Sequence, residues 1–471
     1  MKILFATSEA EPFIKTGGLG DVSGALPIAL AKEKIDVRVV LPLYEGIPSK
    51  YRHTMEFIGS TVVALGWRHQ YAGVFTQTIN GVKYYFVDNE YYFKREGLYG
   101  HFDDGERFAF FSKAVLDIIP LIDFYPDVIH CNDWQTALIP VMMDCFYRDK
   151  KGYGDIKTVL TIHNIEFQGR MDQSCITDVF GIPESHRNIV EYDRNANMLK
   201  AGIELAHAVT TVSETYAKEI MDPYFACGLE DILQKRSYKI SGIVNGIDTA
   251  LYDPSTDPSL FQRYSIKSIA RKKKNKEGLQ EMISLPVTDR PLIGMVSRLT
   301  NQKGLDLLME VIDEILKQDV QMVILGTGDW KYENALNELS KRYTTKLAVI
   351  INFSRDIASK IYGGSDMLLM PSRFEPCGLS QLIAMRYGNI PIVRETGGLK
   401  DTVIPYNKLT GEGTGFTFKT YNAYDMLDAI NRAIAVYDNA AEWRQIMKNA
   451  MERDYSWQEQ SKKYIALYNS L

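Results

Sequence analysis

Short apolar segments alternate with amphipathic segments along most of the chain. In the first half, apolar runs such as "KILFAT", "DVIHCN" and "TVLTIHN" are each followed by a helical pattern, for example "WQTALIPVMMDCFYRD". Because buried strands separated by helices are typical of parallel sheets covered on both faces, this pattern predicts βαβ units. One segment, "VFTQTINGVKYYFVDN", instead places Asn-Gly between two strand-like runs and predicts a β-hairpin.

The composition of the chain changes around residues 240–260, where "SGIVNGIDTALYDPSTDPSL" is rich in Gly, Asp, Ser and Pro. The alternation then resumes with "LIGMVSR", "QMVILGTG", "MLLMP" and "IPIVRE". We therefore predict two α/β domains in tandem, each a doubly wound, Rossmann-like sheet, with a boundary in this segment. Ligands of such sheets bind beyond the carboxyl ends of the strands, so two facing domains would enclose a deep cleft.

Composition and charge exclude several classes of protein. The chain has 471 residues, 45% of them hydrophobic and 24% charged, as in a globular protein of two domains. A net charge of −5 argues against a nucleic-acid partner, and we interpret the basic run "ARKKKNKEGLQEM" as the solvated face of a helix. No apolar stretch predicts a membrane span, and the N-terminus lacks the pattern of a signal peptide. Five cysteines without tight spacing predict reduced thiols and a cytoplasmic location, and no zinc motif occurs.

Two glycine loops share the pattern TGGL-x-D, in "FIKTGGLGDVSGALP" and in "IVRETGGLKDTVIP". The first is not a dinucleotide fingerprint, because Ser23 stands where a third glycine is needed, and no P-loop motif occurs. Glycines before a helix leave backbone N–H groups available to an anion, and Lys15 lies beside the loop. The alternative is a simple strand-to-helix turn capped by Asp21.

Three further segments carry candidate chemistry. "VSRLTNQKG" places Arg298 and Lys303 between a strand and a helix, where two cations suit a pyrophosphate. "MPSRFEPCGLSQLIAM" holds Glu375 in a loop, outside helical geometry because Pro376 follows it. "TIHNIEFQG" ends a strand at His163, which is either a site residue or a structural histidine.

The order of these motifs resembles one family closely. "KTGGLGDV", "HCNDWQTAL", "TIHNIEFQG", "GIVNGID", "SRLTNQKGLDLL", "PSRFEPCGLSQL" and "ETGGLKDTV" follow one another as in bacterial glycogen synthases and plant starch synthases. The resemblance implies the GT-B fold and transfer of glucose from ADP-glucose to the non-reducing end of an α-1,4-glucan, with retention and with no metal or cofactor. It also implies an N-terminal domain over 1–243, a nucleotide-sugar domain over 244–455 and a C-terminal helix, 456–471, that crosses back. Without a transit peptide the chain is more similar to the bacterial enzymes.

The same resemblance implies roles for individual residues. Arg298 and Lys303 would bind the pyrophosphate, His163 would lie near the anomeric centre, and Glu375 would hold glucose hydroxyls and face that centre. Further donor contacts would come from a set of loop residues and one aromatic, namely Lys15, Gly17, Gly18, Asp21, Phe353, Cys377, Gly378 and Leu379. Phe353 would stack on adenine; the alternative is a core phenylalanine.

The acceptor side is less clear from the sequence. Asp133 is a candidate for acceptor or active-site support, and exposed tyrosines of "NEYYFKREGLYGHFDDGERFAFF" would stack on the glucan. The candidates are Tyr91, Tyr92 and Tyr99, whereas Phe108, Phe110 and Phe111 suit the core. The wider clan pairs two glutamates eight positions apart, but Ile383 stands at the second position here, so we favour front-side attack over a two-carboxylate mechanism.

Two other functions fit the same fold. A catalytically silent sugar-nucleotide or glucan-binding protein would have lost Lys15, Arg298, Lys303 or Glu375, and all four are present. A phosphorylase would depend on pyridoxal phosphate, so a pure sample without the absorbance of this cofactor would argue against that alternative.

Overall fold

The computed structural model describes all residues from Met1 to Leu471. The chain forms two compact units, one of Met1–Gly246 with Trp457–Leu471 and the other of Ile247–Ser456. No helix has the length and apolar character needed to cross a membrane.

The first unit contains twelve strands. They are β1 (Lys2–Ala6), β2 (Asp36–Pro42), β3 (Glu56–Leu65), β4 (Arg68–Ile79), β5 (Val82–Asp88), β6 (Val128–Asn132), β7 (Lys157–Ile162), β8 (Arg170–Asp172), β9 (Glu191–Tyr192), β10 (Asn195–Asn197), β11 (Ala208–Thr211) and β12 (Ile240–Gly242). Nine of them form one sheet in the order β12-β11-β7-β6-β1-β2-β5-β4-β3, and β8, β10 and β9 form a small second sheet.

Ten helices of this unit precede the second unit. They are α1 (Gly18–Lys32), α2 (Ser49–Arg52), α3 (Glu90–Phe93), α4 (Asp104–Asp117), α5 (Leu138–Phe146), α6 (Cys175–Asp178), α7 (Arg187–Val190), α8 (Met198–Leu205), α9 (Glu214–Glu219) and α10 (Glu230–Lys235). Short 3-10 helices lie at Trp134–Thr136, Glu184–His186 and Ser237–Lys239.

The sheet pairing follows the alternation of the sequence. β1 pairs in parallel with β2 and β6, and β7 pairs in parallel with β6 and β11, because helical segments separate these strands. The predicted hairpin is confirmed: β4 and β5 are antiparallel, and Asn80 and Gly81 at the turn have φ of 52° and 82°. Phe108, Phe110 and Phe111 of α4 are fully buried, as predicted.

The second unit is a single parallel sheet with helices. Its strands are β13 (Leu292–Val296), β14 (Gln321–Gly326), β15 (Leu347–Ile351), β16 (Met367–Met370), β17 (Ile390–Arg394) and β18 (Phe416–Phe418). Its helices are α11 (Lys272–Met282), α12 (Leu305–Lys317), α13 (Trp330–Arg342), α14 (Arg355–Gly364), α15 (Ser380–Arg386), α16 (Gly397–Thr402), α17 (Ala423–Tyr437) and α18 (Ala440–Met451), with 3-10 helices at Ile266–Arg271 and Asn301–Lys303.

The strand order of this unit is β15-β14-β13-β16-β17-β18. The chain therefore starts in the middle of the sheet, builds one side, and returns to β16 to build the other. The order reverses between β13 and β16, and such a switch point is where doubly wound sheets bind ligands.

The basic run forms helix α11, but its interpretation as a solvated face was wrong for part of the helix. Lys272 and Lys276 are each only 5% exposed. Lys272 Nζ donates to the carbonyls of Tyr362 and Gly363, and Lys276 Nζ lies 2.7 Å from Asp366 Oδ2. These lysines therefore bind carbonyl and carboxylate oxygens inside the second unit rather than presenting their charge to solvent.

The last helix, α19 (Trp457–Asn469), belongs to the first unit. It packs against α1, and its residues Trp457, Tyr464 and Tyr468 are buried. Burial of three large aromatic side chains fixes this terminal segment on the unit.

Candidate active site

Three strand ends of the first unit carry its candidate site residues. β1 leads into the first glycine loop, β6 ends at Asn132 directly before Asp133, and β7 ends just before His163. These strands are neighbours in the order β7-β6-β1, so their carboxyl ends share one edge of the sheet. The strand order also reverses at this edge, since β2 and β6 lie on opposite sides of β1.

Asp133 is held by the backbone around it. Its φ of 56° lies in the left-handed region, which a non-glycine residue adopts only under tertiary constraint. Its N–H donates to Thr161 O, and its Oδ1 accepts from the His163 N–H at 2.7 Å. Burial raises the pKa of the Asp133 carboxyl to about 7, although the hydrogen bonds from His163 and Asn164 oppose this shift.

His163 is a neutral imidazole with a defined orientation. Burial lowers its pKa to about 3. Nε2 lies 3.0 Å from Asn132 Oδ1, and because the Asn132 amide donates to Ala6 O, the histidine must donate at Nε2. Nδ1 is therefore the unprotonated acceptor of this ring.

The first glycine loop surrounds a carboxylate that the sequence interpretation missed. The N–H groups of Thr16 and Gly17 donate to Glu9, whose side chain also lies 3.3 Å from the Tyr99 hydroxyl. Burial raises the pKa of Glu9 against the lowering effect of these hydrogen bonds. Since Gly17 donates to Glu9, the expectation that its N–H is free for phosphate is not met in this arrangement. Glu9 follows a buried strand by three residues, which is the signal that could have found it.

The cation of this loop has acidic neighbours. Lys15 Nζ lies 2.9 Å from Asp21 Oδ1 and 3.4 Å from Glu11 Oε2. The alternative of a turn capped by Asp21 is wrong, because α1 begins after Gly17 with no side-chain cap. Gly17 and Gly18 are exposed, so the loop is open to solvent.

At the switch point of the second unit a lysine meets the predicted glutamate. Lys303 Nζ lies 2.6 Å from Glu375 Oε2, and Ser372 Oγ donates to the same oxygen at 2.9 Å. The Glu375 side chain is only 7% exposed. Both partners therefore engage Oε2 and leave Oε1 as the second acceptor of the carboxylate.

A cavity of about 100 Å³ lies beside this ion pair. It is lined by the ends of β13 and β16, by Lys303 and Glu375, and by Gly378, Leu379 and Ser380 at the start of α15. Cys377 is buried next to it, and Gly378 has a φ of 75°. Arg298 follows β13 with an exposed side chain. The predicted donor residues of the second unit thus all follow the carboxyl ends of parallel strands of one sheet, with Phe353 two residues beyond β15, away from the cavity lining.

The second glycine loop supports the glutamate loop. Gly398 N–H donates to Glu375 O at 3.1 Å. Gly397 has a φ of 44°, and a Cβ atom there would overlap the same carbonyl oxygen. A Cβ atom at Gly398 would overlap Cys377 O. The two glycines are needed because no side chain fits where the two loops touch.

The aromatic candidates have different outcomes. Phe353 is 82% exposed, so the alternative of a core phenylalanine is wrong. Tyr91 is 63% exposed, but Tyr92 is fully buried and donates to Glu106, so its role as a glucan-stacking surface is wrong. The Tyr99 hydroxyl lies 2.7 Å from Ser8 Oγ, which ties this ring to the loop after β1.

Comparison with known proteins places this geometry in a family. The starch synthase catalytic domain model matches residues 2–235, and the glycosyl transferases group 1 model matches residues 280–450. The chain is 51% identical to a glycogen synthase of Anoxybacillus flavithermus and 50% identical to one of Clostridium novyi, over 100% of this chain and 98% and 99% of the relatives. The chain belongs to the glycogen synthase family.

Solved structures agree with this assignment. The catalytic domain of starch synthase IV from Arabidopsis thaliana, bound to ADP and acarbose, superposes with a TM-score of 0.91 at 31% identity, covering 100% of this chain and 98% of that one. The predicted GT-B architecture of two α/β domains with parallel sheets is thereby confirmed. A sucrose-phosphate synthase from Thermosynechococcus elongatus, at 16% identity and a TM-score of 0.64, shares the fold.

Two further residues of this candidate site were not predicted from the sequence. Ser372 is buried and donates to Glu375, and it precedes that residue by three positions in "PSRFEPCG". Gln381 is also buried, and its amide donates to the carbonyls of Cys377 and Gly378. Neither residue type signals catalysis by itself, because each acts by fixing a neighbouring group.

Proposed function

We propose that this chain is a glycogen synthase that transfers glucose from ADP-glucose to the non-reducing end of an α-1,4-glucan, with retention of configuration and release of ADP. Full-length identity of about 50% to glycogen synthases supports the reaction. The observation that carries the chemistry is the Lys303–Glu375 pair at the switch point of the second sheet. The domain division at residues 243 and 455 remains part of this proposal.

The donor is bound by its charges in this proposal. Arg298 and Lys303 neutralise the pyrophosphate, and their effect grows as negative charge accumulates on the departing ADP. The Glu375 carboxylate, held through Oε2, uses Oε1 for glucose hydroxyls and faces the positive charge that develops at the anomeric carbon. Lys15 and the exposed loop around Gly18 supply a further cation and backbone donor.

The transfer is a front-side displacement. The bond between the anomeric carbon and the ADP phosphate oxygen breaks, and a bond to the acceptor 4-hydroxyl oxygen forms on the same face. The acceptor proton passes to the departing phosphate oxygen, so no protein base is needed. His163 accepts from a glucose hydroxyl at Nδ1, and its orientation comes from Asn132 and Asp133.

Two exposed aromatic residues suit the acceptor glucan. Tyr91 and Phe102 are 63% and 94% exposed; Tyr91 contacts Arg95 directly, and Phe102 is linked to it only through the next residue, Asp103. Arg95 lies over the Tyr91 ring at 5.3 Å and binds both carboxylate oxygens of Asp103, the residue after Phe102. We infer that these rings stack on sugar faces. The contacts of Arg95 order this segment before the glucan binds, which lowers the entropy cost of binding.

The reaction is tested by glucose incorporation into glycogen, comparing ADP-glucose with UDP-glucose, each with and without EDTA. We expect incorporation from ADP-glucose that EDTA does not reduce, and losses of about 100-fold or more in Arg298→Ala and Lys303→Ala. Binding of ADP-glucose without turnover would instead establish the silent binding protein.

The acceptor assignment has its own test. Phe102→Ala and Tyr91→Ala should each raise the KM for glycogen by about tenfold, because one stacked sugar ring is lost, and leave the KM for ADP-glucose unchanged. Tyr238→Ala is the matched control, since Tyr238 is a 76% exposed aromatic of the same unit. An unchanged KM for glycogen in both variants would contradict the assignment.

We also place the enzyme in the cytoplasm. All five cysteines are free thiols, as a reducing compartment maintains them.

A further inference from the structure

A buried histidine of the motif "HCND" has no role in the mechanism above. His130 lies on β6 and is fully buried. Both ring nitrogens are engaged: Nδ1 lies 2.7 Å from the Tyr468 hydroxyl and Nε2 lies 2.6 Å from Thr161 Oγ1. Burial lowers the pKa of His130 to about 3, with nearby His163 adding to the effect, so the ring is neutral.

These hydrogen bonds join the last helix to the sheet. Tyr468 lies near the end of α19 and is 4% exposed. Its ring also packs edge-on against His130, with centroids 5.8 Å apart. Thr161 Oγ1 continues the chain of contacts to Thr210 Oγ1 on β11, at 2.6 Å. A polar row thus crosses three parallel strands and ends in a tyrosine from the opposite end of the sequence.

The row is connected to His163 by direct bonds. Thr161 uses its side chain toward His130 and its carbonyl to accept from the Asp133 N–H at 2.9 Å. Asp133 Oδ1 in turn accepts from the His163 N–H. Because alternate residues of a strand share a face, His130 and Thr161 also lie one step below Asn132 and His163, which bond to each other.

We propose that Tyr468 is a positioning residue for the transferase reaction, acting on His163 through His130, Thr161 and Asp133. The tyrosine hydroxyl fixes the His130 ring, the ring fixes Thr161, and Thr161 fixes the strand ends that orient His163. Without the hydroxyl, His130 Nδ1 would be left without a partner in a site closed to solvent, and the row would rearrange. This inference rests on the proposed function, which assigns His163 to the donor glucose.

The first test removes only the hydroxyl. Tyr468→Phe should lower kcat about tenfold and change the KM for ADP-glucose by less than about twofold, because His163 would be misplaced during the chemical step. Tyr147→Phe is the matched control: Tyr147 is 2% exposed in the same unit and bonds to Asp117 at 2.7 Å, but has no link to the row. Equal kcat losses in the two variants would mean that any buried hydroxyl has this effect, and the proposal would be overturned.

A double-mutant cycle separates positioning from general stability. In a His163→Ala background, Tyr468→Phe should cost less than about twofold, because the residue through which it acts is gone. The same tenfold loss in both backgrounds would overturn the proposal.

A second readout does not depend on turnover. In ¹⁵N-histidine NMR spectra, with His130→Gln and His163→Gln used for assignment, Tyr468→Phe should shift the ring signals of both histidines and Tyr147→Phe should shift neither. An unchanged His163 signal in Tyr468→Phe would overturn the coupling. If these shifts are observed but the wild-type protein does not use ADP-glucose, the proposed function is refuted while the coupling stands. The two failures are therefore distinguishable.

Discussion

For the ion pair between Lys303 and Glu375 we predict that a second mutation restores thermal stability without restoring activity. The two side chains are 17% and 7% exposed, and their charged atoms lie 2.6 Å apart. Lys303→Met keeps the length and apolar stem of the side chain but removes the cation. The Glu375 carboxylate is then left in a largely buried site with the Ser372 hydroxyl as its remaining close donor in this cluster.

Breaking a buried pair by removing one partner costs about 3–5 kcal/mol in the free energy of unfolding. Since Lys303 keeps some access to water, we expect the lower end, about 3 kcal/mol. A domain of 150–250 residues loses roughly 2–4 °C of Tm per kcal/mol, so the transition of the unit Ile247–Ser456 should fall by about 6–12 °C.

Glu375→Gln in the same chain should reverse this loss. The double variant has no unpaired charge, and its Tm should return to within about 3 °C of the wild type. Transfer from ADP-glucose should nevertheless stay at least about 100-fold below the wild type in both the single and the double variant, because each lacks a group that acts on developing charge. Differential scanning calorimetry and the incorporation assay on the same samples measure both effects. A double variant as unstable as Lys303→Met alone would refute the reasoning.

Three further predictions follow from single residues. Phe353→Ala should raise the KM for ADP-glucose by about tenfold, since one stacking contact is lost, with no change in Tm; a lower Tm with an unchanged KM would contradict this. Gly397→Ala should lower both Tm and kcat because its Cβ overlaps Glu375 O, whereas Gly17→Ala, with nothing within 4 Å, should leave Tm unchanged; thermal scans that rank them otherwise would exclude the steric argument. The folded protein holds the Asp133 proton up to a pKa of about 7, against 3.8 ordinarily, so the free energy of unfolding should fall as pH rises from about 4 to 7. Urea titrations should show this slope reduced in Asp133→Asn, and an identical slope in that variant would assign it to other groups.

The sequence is informative about the architecture because strands and turns depend on local patterns. The run "KILFAT" and the Asn80-Gly81 turn each predict one element without knowledge of the rest of the chain. The position of Glu375 between a strand and a helix follows in the same way, since Pro376 excludes helix there. The carboxyl ends of parallel strands then converge without further information.

Contacts between distant segments could not be predicted in this way. Whether a tyrosine faces solvent or the core depends on what packs over it. The sequence therefore suggested that Tyr92 is available to the glucan, whereas the side chain is buried. The same holds for the buried lysines of α11: the carbonyl partners of Lys272, at Tyr362 and Gly363, and the carboxylate partner of Lys276, Asp366, lie some 90 residues away. The position of Glu9 after a strand can be read from the sequence, but the hydrogen bonds that it accepts from Thr16 and Gly17 depend on how the loop folds over it.

The two TGGL loops share one sequence motif but have different surroundings and different roles. Each follows a strand and starts a helix, because paired glycines permit a close turn there. Gly17 and Gly18 are exposed, whereas Gly397 and Gly398 are buried against the loop of Glu375. An exposed loop beside a lysine can change its partners when an anion binds, but a buried loop can only hold its neighbour in place. Burial rather than the motif therefore decides the role. Ligand-dependent movement is to be sought in the first loop, whereas the second loop fixes the backbone of Glu375.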